Sequence, residues 1–108
     1  MKTHVFVMFI CLGLMSCIDF RTEEEVQEEF QTEVAAANDC ESTADCVLIT
    51  PQCPLPCGVA VNVDEEARIR LLATRLVLEY DGSCDNSCPS LAAICEDKKC
   101  VAVESGDD

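Results

Sequence analysis

Eight cysteines, at positions 40, 46, 53, 57, 84, 88, 95 and 100, carry most of the reactive chemistry this chain can offer. Their spacing is C-x5-C-x6-C-x3-C-x26-C-x3-C-x6-C-x4-C, so two C-x3-C pairs flank a cysteine-free middle. Three chemistries suit such a set. Thiol exchange favours a C-x2-C pair beside a positive charge; Cys53 and Cys57 in "CPLPCG" are one residue further apart, with no His or Lys nearby. Zinc would take Cys53, Cys57, Cys84 and Cys88 as a four-thiolate site. Structural disulfides would use Cys40, Cys46, Cys53, Cys57, Cys84, Cys88, Cys95 and Cys100 together. An exported chain meets oxidants before it meets zinc, so disulfides are expected, with no metal and no other cofactor. Eight cysteines allow roughly a hundred pairings, and spacing does not choose among them.

Other reactive groups are few. The one histidine, His4, lies in a segment expected to be removed. Without imidazole, neither a Ser-His-Asp or Cys-His arrangement nor a His-containing metal site can form. Carboxylate pairs remain open to acid–base work, but a chain with 21 acidic residues in 108 brings some together by chance. Asp81, Asp85 and Asn86 form one acidic group, and Asp39, Glu41 and Asp45 another; neither follows the EF-hand order of calcium ligands. The chain is therefore expected not to be an enzyme. Its 21 acidic and seven basic residues give a net charge of -14. That charge disfavours nucleic acid and acidic substrates, and leaves cations or a basic protein or peptide surface as partners.

The compartment follows from the N-terminus. Lys2 and His4 precede "VFVMFICLGL", Val5–Leu14, which has nothing polar. It is too short for a membrane span, which needs about 20 residues, and fits the apolar part of a secretory signal. Leu14-Met15-Ser16-Cys17 then resembles the lipobox of bacterial lipoproteins. The resemblance implies cleavage before Cys17, a diacylglycerol thioether on its sulfur and acylation, as with palmitate, of its new amino group. Parity agrees: Cys11 leaves with the signal, and with Cys17 lipidated an even eight remain to pair. Two or three acyl chains give a stable anchor where one does not. Ile18 after Cys17, rather than Asp, fits the outer membrane over the inner under the enterobacterial sorting rule. The alternative is a secreted protein with Cys17 free or paired between chains.

The remaining elements must position the cysteines. Thr22 and Glu25 read as a capping box, Glu23 to Glu25 suit a helix start, and Val26, Phe30, Val34 and Ala37 make a narrow apolar stripe. Residues 17–38 are expected to be the lipidated cysteine plus an acidic, partly helical, solvated stalk. The clearest helix spans 64–80, capped by Asn62 or Asp64, with Ile69, Leu72, Ala73, Leu76 and Tyr80 on one face and Leu71 and Leu78 widening it. "CVLIT" and "GVAVNV" read as strands. "LAAIC" and "CVAVE" flank a four-residue turn, Glu96–Lys99, in a hairpin that sets Cys95 opposite Cys100, each reaching a separate partner.

The run "DC…DCVLI…C…CG.AVN", then a helix and "C.D.KCV", resembles small cysteine-rich domains of bacterial, especially myxobacterial, lipoproteins and secreted proteins. It implies an extracytoplasmic disulfide domain and brings no activity. The expected division is 1–16 signal, 17–38 anchor and stalk, 39–104 disulfide domain and 105–108 acidic tail. The expected fold class is α+β: a small disulfide-rich domain with one central helix on a short antiparallel sheet or hairpin. Its function would be binding or structural at the cell envelope. The alternative is a secreted inhibitor or toxin-like module presenting the proline-rich loop "TPQCPLPC".

Overall fold

Thr22 starts the first helix by a reciprocal cap: its hydroxyl accepts from the Glu25 amide, and the Glu25 carboxylate accepts from the Thr22 amide. The computed structural model describes residues 20–82, 84, 85 and 87–105. In it α1 spans Glu23–Ala35, β1 Cys46–Ile49, β2 Val59–Asn62, α2 Glu66–Glu79, β3 Leu91–Glu96 and β4 Lys99–Glu104. Two helices, two antiparallel hairpins and four disulfides make a small disulfide-rich α+β domain. The single central helix of the expectation becomes a pair, and the sheet becomes two sheets of two strands.

Residues 23–37 depart from the expected solvated stalk. The stripe Val26, Phe30, Val34 and Ala37 is buried, in one core with Ile49, Leu55 and Val61 from the β1–β2 region and Ile69, Ala73 and Leu76 of α2. The reason is simple. An exposed stripe of this kind would leave a phenylalanine and two valines in water, whereas burying each is worth about 1.5–3 kcal/mol.

The boundary expected between 38 and 39 falls on a hydrogen-bonded seam instead. The Ala37 carbonyl accepts from the Asn62 amide, and the Asp39 carbonyl accepts from Asn62 Nδ2. On the other side, the Asn38 carbonyl accepts from the Cys100 amide at 2.7 Å, and the Cys40 amide donates to the Lys98 carbonyl. These residues join α1 to both hairpins, so α1 is part of the domain.

Asn62 also caps the entry to α2, its side chain accepting from the Asp64 amide before a short 3-10 turn, Val63–Glu65. Glu33 meets Arg68 while Glu29 meets Arg75, which makes α1 and α2 antiparallel neighbours. Ile69, Ala73 and Leu76 are buried and Leu72 and Tyr80 half-buried. Leu71 and Leu78 do not widen this face. Each follows a buried residue, Ile69 or Leu76, by two positions, about 200° round the helix, and each stays exposed.

β1 pairs with β2 from Cys46↔Asn62 to Ile49↔Val59, and β3 with β4 from Leu91↔Glu104 to Glu96↔Lys99. The expected four-residue turn closes to two, Asp97 and Lys98, at φ 54° and 64°. Positive φ at both positions matches the twist of the flanking strands. The hairpins lie against each other around a second core of Cys40, Ala60 and Cys100, bordered by Cys46, Ala93 and Cys95.

Candidate functional site

The eight cysteines pair as Cys40–Cys95, Cys46–Cys100, Cys53–Cys84 and Cys57–Cys88. Cys95 and Cys100 sit opposite each other in the β3–β4 register and reach different partners, as the hairpin predicts. The four cysteines of the zinc reading do come together, but as two bridges with Cα–Cα distances of 6.0 and 5.5 Å. The sulfurs of Cys40, Cys46 and Cys95 also cluster within 4.8 Å of one another. All are oxidised, and a bridged sulfur has no thiolate to offer a metal.

Of the two acidic groups, that of Asp39, Glu41 and Asp45 has partners within the fold. Asp45 accepts from the Glu41 and Ser42 amides, while Glu41 pairs with Lys98 and Asp39 with Lys99 at 3.4 and 3.5 Å. Asp81 and Asp85 are exposed and Asn86 lies outside the described residues. In the proline-rich loop Pro54 and Leu55 are buried, and the Pro54 carbonyl accepts from Gln27 of α1. A loop whose central apolar residue is in the core does not present it to a protease.

A closed ring of four charges joins the i,i+4 pair Arg75 and Glu79 to residues far off in sequence, which no local pattern names. Arg21 pairs with Glu29 and Glu79 at 2.7 and 2.9 Å, and Arg75 pairs with the same two carboxylates at 2.9 and 3.0 Å. The Arg21 amide also donates to the Glu79 carbonyl, fixing the start of α1 beside the end of α2. Hydrogen bonds from Arg21, then from Arg75, hold Glu29 below the usual carboxylate range, and Arg21 is the main cause of the same shift at Glu79. Both guanidiniums are held more firmly protonated in return, Arg21 and Arg75 each chiefly by Glu29.

A depressed folded pKa stabilises the fold above the unfolded value and is lost as pH falls through the folded one. The ring should therefore contribute at neutral pH and fail in acid, as pH drops beneath the ordinary glutamate value and through the lowered folded one. With side chains about a third to a half exposed, its contribution is that of screened surface pairs. Glu29→Gln with Glu79→Gln is expected to flatten the acid limb of melting temperature against pH. An unchanged acid limb would show that the ring does not couple to folding.

The unexplained surface is the outward side of α2. Leu71 and Leu78 are 71% and 74% exposed. Next to Leu78, between α2 and Thr50–Gln52, a groove of about 340 Å³ is lined by Ile49, Pro51, Ala73 and Val77, with Arg70 and Thr74 on its helix side. The sequence expectation puts these leucines on the flank of the buried face, widening it. Their spacing against Ile69 and Leu76 was the signal that they face away.

Among the described residues no helix is long and apolar enough to cross a membrane. The signal 1–16, the lipidation candidate Cys17 and residues 106–108 of the tail lie outside the described residues. Four disulfides in so small a domain fit an extracytoplasmic or structural role. No family model matches this chain, and neither a curated protein nor a solved structure matches it.

Proposed function

We propose that this chain is a bacterial envelope lipoprotein, anchored through acylated Cys17, whose disulfide-stapled domain binds a partner or serves as a structural element close to the membrane. The observation that carries this reading is the complete pairing of the eight cysteines from Cys40 to Cys100 with one another. Cys17 then stands outside the disulfide set, directly after an apolar run and Leu14-Met15-Ser16. The domain lies near the bilayer rather than on a long stalk. Arg21 is already tied to Glu79, so only residues 18–20 separate the anchor from the fold. At about 3.5 Å per extended residue that link reaches roughly 14 Å.

Cys17→Ala is expected to abolish fatty-acid labelling and release the chain from membranes. Intact mass before and after reduction should show eight cysteines gaining one hydrogen each. Labelling that persists in the alanine variant would take the anchor away from Cys17, and labelling that never occurs in a bacterial host would replace this reading with the secreted one.

A further inference from the structure

We infer that the outward face of α2 docks a cationic amphipathic segment of another protein. This names a partner class for the envelope domain proposed above and rests on that reading for its compartment. Ala67, Leu71, Thr74 and Leu78 recur at i, i+4, i+7 and i+11, and all four are exposed. The two small residues leave room between the leucines for a partner's side chains. The groove beside Leu78, floored by Ile49 and Val77, offers a place for one of them.

Charge selects the partner. α1 packs beside α2, and both bury their inner faces over the β1–β2 hairpin. Glu24 and Glu28 flank buried Val26 by two positions on either side, so they point outward as Leu71 and Leu78 do. Neither glutamate has an ion-pair partner among the described residues, whereas Arg21, Arg68, Arg70 and Arg75 are each held by carboxylates. Two exposed leucines on one helix and two unpaired carboxylates on the outward side of its neighbour, on a chain of net charge -14, fit apolar residues on one side of a helix and Lys or Arg on the next. A second copy would bring two strongly negative chains together. An anionic lipid surface would meet Glu24 and Glu28.

The test uses the full chain, exported and captured through a C-terminal tag. Its probe is a helical peptide of roughly 18 residues with leucine and lysine at heptad spacing. Micromolar binding is expected. Leu71→Ser with Leu78→Ser should weaken it about tenfold or more, as loss of central apolar anchors does. Glu24→Gln with Glu28→Gln should weaken it and reduce its salt dependence. All four side chains point into solvent, so melting temperatures should hold.

The inference is overturned if the probe does not bind, or if the serine pair leaves its Kd unchanged. A serine–lysine or a leucine–glutamate probe binding as well would overturn it too. If vesicles containing phosphatidylglycerol capture the Cys17→Ala chain through the same leucines while the peptide does not bind, the face meets lipid and the inference fails. Absence of fatty-acid labelling with peptide binding intact would remove the anchor alone, so the two failures read out separately.

Discussion

Phe30→Ala is expected to cost about 3–5 kcal/mol, the range for deleting a buried aromatic ring. Phe30 is fully buried between α1 and the core residues of α2 and the first hairpin. In a domain of this size each kcal/mol lowers the melting temperature by roughly 4–8 °C, so the loss should be plain in a thermal scan. Phe20 supplies the control. It is the same residue type ten positions earlier, 56% exposed, and Phe20→Ala should stay within about 0.5 kcal/mol. With the disulfides intact the Phe30 variant should still fold, because the bridges restrict the unfolded chain. With them reduced it should not. Equal melting curves for the two alanine variants would return residues 23–37 to the status of a solvated stalk.

That comparison also separates what the sequence made legible from what it did not. The Thr22–Glu25 cap, the 26/30/34/37 stripe, the Asn62 cap ahead of α2 and the β3–β4 hairpin are all visible in the letters. Each is decided by residues a few positions apart. What the stripe packs against depends on Ile69 and Val61, far along the chain, and no local pattern names them. The seam at 37–40 is carried largely by backbone groups, which every residue has, so it leaves almost no trace in side-chain type. Arg21 and Glu79 meet across 58 positions. Leu71 and Leu78 show the opposite error. One heptad apart, they read as a flank that widens the apolar face, but the angle round the helix decides burial, and it sets them opposite Ile69 and Leu76.

The disulfide pairing is the other long-range fact, and its arrangement leads to an unequal response to removal. The bridges form two linked pairs: one ring runs through 40–46 and 95–100, the other through 53–57 and 84–88. Within a pair, either bridge alone already closes the long loop, so its neighbour closes only a short ring. The entropic loss on removing one bridge should therefore be modest in both, about 2–3 kcal/mol. The folded side separates them.

Cys40 and Cys100 are 5% and 3% exposed in the core between the hairpins, so Cys46→Ala with Cys100→Ala also leaves a void there. That should bring its cost to about 3–5 kcal/mol. Cys84 is exposed, and among the described residues 84–89 make no backbone hydrogen bond; their neighbour Ser90 accepts from Ser105. Cys53→Ser with Cys84→Ser should then cost only the entropic part, read as the smaller shift in guanidinium midpoint. Access decides the order of reduction as well, since exchange requires a thiolate to reach a sulfur. Limited reductant followed by alkylation should mark Cys84 and Cys88 before Cys40 and Cys100. Early alkylation at Cys40 and Cys100, or a larger midpoint loss from the Cys53/Cys84 variant, would show that the hairpin interface is not the protected core and that the proline-rich loop carries the fold.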